Sequence, residues 1–325
     1  MNKHNIESGL VTTIIPVYNR PILVREAIES VLAQTYRPIE IIVIDDGSTD
    51  NTVLALKALA AQYSEIRVLS QDNAGPGVAR ELGRQNAKGE FIQYLDSDDL
   101  LLPEKFSLQV KALLDKPECD VVYGKTELIK IGERLNGKAI KRTGEKITSM
   151  FPLFLHERWW STSTALHRAS VLQVVGAWLP LSNEEDWEYD CRIASLGGQL
   201  VYIDEFVSIT RQHNEHLSAD GTTDKVKLNH RCIAQKNIYE HALSYMALKN
   251  RPSNISKEDW VHYSKSVFLL ARQCALVGLI EQAKQMVQLS IEANGSSTLK
   301  HKLFYMLSTV MGWQRVSKII QWLGK

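Results

Sequence analysis

Three carboxylates fall within four residues at Asp96-Ser97-Asp98-Asp99, directly after the apolar stretch Phe91–Leu95. The stretch reads as a buried strand, so the carboxylates gather where that strand stops. Carboxylates crowded at a strand end are costly unless a cation or hydrogen-bond donors compensate them. Oxygen ligands of this kind suit Mg²⁺ or Mn²⁺, which also bind phosphate oxygens. The first expectation is therefore a metal–diphosphate site.

Three other segments carry compatible chemistry. In Ile14-Ile15-Pro16-Val17-Tyr18-Asn19-Arg20 a strand runs into an aromatic and a cation. Tyr18 can stack on a base and Arg20 can meet a phosphate, or the segment is simply a strand end before a helix opened by Pro21. In Asp45-Asp46-Gly47-Ser48-Thr49-Asp50 two carboxylates follow a strand. Ser48, Thr49 or Asp50 can cap the next helix and leave Asp45 and Asp46 for a base or ribose. In Asn73-Ala74-Gly75-Pro76-Gly77-Val78-Ala79-Arg80 a glycine-bearing loop opens a helix. Helix N-termini attract anions, but this is not a dinucleotide fingerprint, because GxGxxG is absent and the loop follows the third strand.

The elements that must position these residues alternate. Leu10–Val17, Ile39–Ile44, Ile66–Leu69 and Phe91–Leu95 read as strands; Ile22–Ala33, Thr52–Tyr63 and Val78–Ala87 have apolar residues at helical spacing. Continuous apolar strands separated by helices mean a mostly parallel sheet flanked by helices, an α/β fold. Such sheets bind ligands beyond the carboxyl ends of the strands, which gathers the three loops Pro16–Arg20, Asp45–Asp50 and Asp96–Asp99 on one rim. The middle of the chain is mixed: Val121–Tyr123, Leu200–Ile203 and Val207–Thr210 read as short strands, Gly132–Lys146 as a loop or hairpin, and Asp186–Leu196 as a helix. From Asp224 the pattern is helical throughout, with a hairpin over Ser266–Glu292 turning near Gly278. This suggests a catalytic domain over 1–220 and a helical C-terminal domain over 221–325.

Taken together, Ile14–Arg20, Asp45–Asp50, Asn73–Arg80, Gly89–Asp99 and Gly176–Arg192 resemble the family 2 glycosyltransferases, inverting enzymes with the nucleotide-sugar-binding A-type glycosyltransferase fold. The resemblance covers roughly residues 9–215. It implies that Pro16, Tyr18 and Asp46 hold the base and ribose of a nucleoside-diphosphate sugar, a UDP-sugar first. It also implies an Asp-x-Asp pair, with Asp96 near the ribose and Asp98 binding Mn²⁺ or Mg²⁺ at the diphosphate. Arg20, Asn73 and Arg80 complete the donor-binding set. In Ser182-Asn183-Glu184-Glu185-Asp186-Trp187-Glu188, Asp186 matches the family's general base and Glu185 is the alternative. Crowding by neighbouring carboxylates would raise its pKa, and the dipole of a helix N-terminus would explain the same cluster without catalysis. In Thr210-Arg211-Gln212-His213 the histidine matches a third metal ligand, with His216 a competitor. Trp159 and Trp160 either form an apolar wall for an acceptor sugar or pack in the core. The implied reaction moves a sugar to a hydroxyl of a glycan or lipid-linked glycan, in surface-polysaccharide synthesis. A sugar nucleotidyltransferase would instead carry a Gly- and Lys-rich first loop; the alternative of a non-catalytic nucleotide-sugar-binding or scaffold protein is opposed by the intact acidic triplet and Glu-Asp motif, loss of either of which would argue for it.

Composition narrows the setting. The chain has 325 residues, 44% of them hydrophobic and 23% charged, with a net charge of +1 that gives no case for nucleic acid. Cys119, Cys191, Cys232 and Cys274 are scattered without a CxxC, which argues against zinc and a disulfide scaffold and favours a reducing compartment. Met1–Gly9 lacks the apolar core of a secretory signal, and no run of about 18 apolar residues occurs. A cytoplasmic location follows as an expectation. The tail differs from the rest: after Glu292 every formal charge is positive, from Lys300, Lys302, Arg315, Lys318 and Lys325. That is +5, so residues 1–292 carry −4. Trp313, Val316, Ile319, Ile320 and Leu323 share one helical face, and Leu303, Leu307 and Val310 form a similar stripe upstream. Such a helix suits an anionic surface on the inner face of a membrane, or packing on the catalytic domain.

Overall fold

The computed structural model describes residues 6–133, 135–212, 223–248 and 255–323. They form two compact units. The first comprises Met1–Met150, Trp159–Pro180 and Leu196–His216; the second comprises Phe151–Arg158, Leu181–Ser195 and Leu217–Lys325. A single cut near 220 does not describe this division, since 151–158 and 181–195 cluster with the later helices.

The first unit is built on an eight-stranded sheet. Its strands are β1 (Glu7–Val17), β2 (Ile39–Asp45), β3 (Ile66–Ser70), β4 (Gly89–Tyr94), β5 (Leu100–Leu101), β6 (Val121–Lys130), β7 (Leu166–Arg168) and β8 (Leu200–Gln212), in the order β3-β2-β1-β4-β7-β6-β8-β5. β3, β2, β1 and β4 are mutually parallel, whereas β7 runs antiparallel to both β4 and β6. The register sets Val17 beside Asp45 and Asp45 beside Ser70. The expected rim is therefore real: the loops after β1, β2, β3 and β4 leave the same edge of the sheet. The two short strands expected over 200–210 are one continuous β8.

Helices α1 (Pro21–Leu32), α2 (Thr52–Gln62) and α3 (Pro76–Asn86) connect the parallel strands. α3 lies close on the sheet at Gly83, where a Cβ would sit 2.4 Å from Ile14 and 2.8 Å from Ile44. Only glycine permits that approach. α4 (Lys105–Asp115) follows β5, and Phe106, Val110 and Leu113 at helical spacing announce it, though the sequence reading assigns nothing there. α5 (Ala169–Val175) follows β7.

The second unit is helical. It contains α6 (Glu185–Ser195), α7 (Lys225–Met246), α8 (Lys257–Leu276), α9 (Ile280–Asn294), α10 (Leu299–Met311) and α11 (Trp313–Leu323). The expected hairpin is α8 and α9, turning at Gly278 with φ of +85°. Ala271, Ala275 and Ala283 are fully buried, small residues that let the helices approach closely.

A polar layer runs through the first unit beneath the rim. The Lys105 side chain is fully buried and its Nζ donates to the Thr164 carbonyl (2.7 Å), which also accepts from Gln109 Nε2 (3.1 Å). Burial holds the Lys105 pKa well below the ordinary lysine range. The unfolded chain thus binds a proton that the folded one refuses, and wild-type stability is lost as pH falls towards the native value. Lys105→Met keeps the volume and leaves Thr164 its Gln109 donor. We expect the variant to be more stable than wild type at low pH. Its advantage should shrink by about 1.4 kcal/mol per pH unit as pH rises towards the ordinary lysine range near ~10. Urea-unfolding midpoints across pH measure this; a pH-independent difference would contradict it.

Candidate active site

The three carboxylates of the acidic turn after β4 are compensated in two different ways. Asp96 Oδ1 accepts from Arg80 Nη2 (2.7 Å), and Asp98 Oδ2 accepts from Arg20 Nη1 (2.8 Å). Arg80 lies across the face of Trp178, 5.0 Å from the ring centroid, which aims the guanidinium at the rim. Asp99 is buried and turns inward, where its carboxylate accepts from Ser163 Oγ (2.8 Å), Thr210 Oγ1 (3.3 Å) and the Arg211 amide (3.2 Å). Desolvation, and then the charges of Asp98 and Asp96, push the Asp99 pKa well above the usual carboxylate range.

Arg211 locks the turn from behind. Its guanidinium donates to the Asp98 carbonyl and pairs with Glu26, and its Nη2 reaches the Leu23 carbonyl (3.4 Å). One buried side chain at the end of β8 thus ties the acidic turn to α1. The sequence reading placed Asp99 in the acidic cluster without its inward turn, and gave no site role to Ser163, Thr210 or Arg211. The available signal was the Thr210-Arg211 pair just ahead of the expected histidine. His213 and His216 themselves lie outside the described residues.

The other rim loops are laced together. Asn19, in left-handed conformation with φ of 51°, donates its amide to Ser48 Oγ (2.9 Å) and accepts from the Thr49 amide (2.8 Å). The Arg20 amide donates to Thr52 Oγ1 (3.0 Å). Asp46 is buried, and its carboxylate accepts from the amides of Ala74 and Gly75 (2.9 Å each) and from Gln71 Nε2 (2.7 Å). Gly47 has φ of +76°, and a Cβ there would meet the Asn73 nitrogen at 2.8 Å. In this structure Asp46 holds the loop that carries Asn73. Tyr18 and Asn73 are exposed on the rim, while Pro16 is buried within β1. Trp159 and Trp160 are 2% and 1% exposed. Arg142 covers the Trp159 ring at 4.3 Å and Tyr123 packs on Trp160 at 5.1 Å. The acceptor-wall expectation is therefore corrected to core packing, because indoles enclosed on this scale offer no open face.

Hard oxygen donors at a strand end fit Mg²⁺ or Mn²⁺. Among the described residues no group of three His, Cys, Asp or Glu converges to hold a metal. A cation here would take one or two carboxylates and draw its remaining ligands from a diphosphate and water, the usual way Mg²⁺ is held.

The acidic start of α6 belongs to the second unit and is ordered within it. Glu184 accepts from Arg231 Nε and Gln235 Nε2 (2.7 Å each), and Glu188 pairs with Arg192 (2.7 Å) and His241 (2.8 Å). Arg158 bridges Asp186 (2.5 Å) and Asp190 (2.7 Å). The crowded carboxylates are thus divided among separate cations. Asp186 is half-buried, whereas Glu185 is buried.

The model of the family described as "Glycosyl transferase family 2" matches residues 12–173, the stretch that supplies all four rim loops. Residues 12–173 belong to glycosyl transferase family 2. An "Uncharacterized glycosyltransferase" of Rickettsia felis is 42% identical over 141 residues, 43% of this chain. The match spans 22% of that relative's length. Among solved structures, residues 1–349 of Staphylococcus aureus TarS superpose with a TM-score of 0.66 at 17% identity, covering 97% of this chain and 92% of that 1–349 chain. TarS 1–349 is also known in complex with UDP-GlcNAc. The mannosyltransferase PcManGT of Pyrobaculum calidifontis, in complex with GDP-Man and Mn²⁺, gives a TM-score of 0.54 at 16% identity, covering 95% of this chain and 84% of that one. At these identities the structures show the fold, the A-type glycosyltransferase architecture with a helical C-terminal region.

In the family 2 unit, Asp46→Ala removes three acceptor contacts from the 71–75 loop. Charge-assisted hydrogen bonds of this kind contribute roughly 1.5–3 kcal/mol each. We expect the amides of Ala74 and Gly75 to exchange hydrogen at least about tenfold faster, with β1 and β2 unchanged. Unchanged exchange over 71–80 would show that the loop does not depend on Asp46.

Proposed function

We propose that the protein is an inverting, metal-dependent glycosyltransferase that moves a sugar from a nucleoside-diphosphate sugar, a UDP-sugar first, to a hydroxyl of a glycan or lipid-linked glycan. The observation that carries this reading is the acidic turn after β4 with Arg20 and Arg80 converging on it. Carboxylates for a cation and guanidinium groups for phosphate oxygens then share one strand-end rim. The UDP-GlcNAc held by TarS and the GDP-Man and Mn²⁺ held by PcManGT support the donor class. A role in surface-polysaccharide synthesis, at the cytoplasmic side, is part of the same proposal and rests on the family.

On this reading Tyr18 stacks on the base, with Asn73 on the loop that Asp46 fixes. Asp96 lies near the ribose, Asp98 takes the metal, and Arg20 and Arg80 keep both carboxylates oriented. When bound, a divalent cation would offset charge on the departing nucleoside diphosphate. The acceptor oxygen attacks the anomeric carbon, the bond from that carbon to the diphosphate oxygen breaks, and the acceptor proton passes to a base. Asp186 is proposed as that base from its motif match, and its greater exposure favours it over Glu185.

The test is donor binding across UDP-, GDP- and dTDP-sugars with Mn²⁺, Mg²⁺ or EDTA. We expect metal-dependent binding of a UDP-sugar, lost in Asp98→Ala and weakened in Asp98→Asn. Binding of no donor by folded protein would overturn the reading. Asp186→Asn should leave donor binding intact and lower transfer by about 10²–10⁴-fold; the same loss in Glu185→Gln alone would move the base to Glu185.

A further inference from the structure

Helix α10 has a buried face and, opposite it, an exposed apolar one. Inward, His301, Phe304 and Ser308 are buried, with Phe304 edge-on to Phe268 and Trp313. Outward, Leu299, Leu303, Met306 and Val310 recur at i, i+4, i+7 and i+11, one face of a helix. They are 71%, 44%, 55% and 80% exposed. On α11, Trp313 and Val316 are buried, so the tryptophan that reaches solvent is Trp322, 75% exposed. The sequence-predicted stripe on α11 is thereby divided, and α10 carries the continuous outward one. A groove of about 310 Å³, lined by Val287, Ile291, Tyr305 and Met306 among others, adjoins it. A run of large apolar side chains in water marks a surface that meets something.

Charge identifies the partner. Lys302 and Lys300 flank the stripe on α10, both exposed, and Arg315 and Lys318 are exposed on α11. No acidic residue occurs after Glu292. A second copy laid on this face by two-fold symmetry would set these cations against their own kind. An anionic bilayer does the reverse: apolar side chains enter the acyl boundary while lysine stems extend along it to the headgroups. Each cation near such a surface strengthens the attraction to anionic headgroups. No described helix is long and apolar enough to cross a membrane, which leaves lying on it. We infer that the outward face of α10, with Trp322, docks on an anionic membrane surface. This goes beyond the donor chemistry and is measured without it.

The experiment is co-sedimentation of the full chain with vesicles of phosphatidylcholine alone, or of equal parts phosphatidylcholine and phosphatidylglycerol. We expect binding to the anionic vesicles only, weakening as salt rises. M306D/V310D should bind at least about tenfold more weakly, the effect of 1.4 kcal/mol. K300E/K302E should lose the preference for anionic lipid. All four positions face solvent, so circular dichroism and donor binding should match wild type in both variants. No binding to anionic vesicles, or binding unchanged in M306D/V310D, overturns the inference. A concentration-dependent dimer in light scattering, abolished by M306D/V310D, with no vesicle binding, assigns the face to a second copy instead.

Discussion

Three carboxylates in four consecutive residues repel one another, and the architecture around the end of β4 answers that repulsion. Arg20, just ahead of α1, faces the buried Asp98 and Arg80 on α3 faces Asp96, while Asp99 is turned away from both and surrounded by hydroxyls and a backbone amide. The inward turn of Asp99 is the costly part. It requires Ser163 ahead of β7, Thr210 and Arg211 on β8, and the polar layer beneath them. β8 therefore has to reach back across the sheet to the acidic turn. Two carboxylates are left at the rim, each held by one cation, and that is what a strand end needs if it is to accept a metal and a diphosphate without collapsing on itself.

The helical unit meets a similar problem at the start of α6 with the same means. Four acidic residues fall within five positions, and three of them take cations from different elements: Glu184 from Arg231 on α7, Glu188 from Arg192 and His241, and Asp186 from Arg158. The result differs in one respect. Here Arg158 spans two carboxylates at once, so Asp186 shares its partner with Asp190.

The parallel half of the sheet was legible because its strands are buried on both faces and read as unbroken apolar runs between helices. The rim loops were legible because glycine, proline and aspartate interrupt those runs at each strand end. Asp46 was legible as a rim residue but not in its contacts: nothing local in the sequence tells a ribose from the amides of residues 74 and 75. Asp99 was read as part of the acidic cluster, since proximity in sequence does not say which carboxylate turns inward. Arg211 and Ser163 lie more than sixty residues from the turn they hold, and such partners emerge only from topology. Trp159 and Trp160 show the same limit, because an aromatic pair carries no local mark of whether it faces a ligand or the core.

The Asp46 contacts have a consequence for recombination. The loop after β2 grips the loop after β3 with its carboxylate, and Gly47 clears the space into which the Asn73 backbone fits. Each segment is in contact with the other across these bonds. A chimera that swapped only 71–75 for the loop of a relative would bring in a backbone cut for a different clasp. Residues 45–50 and 71–75 therefore form one exchangeable cassette, although twenty residues of helix and strand separate them in the chain.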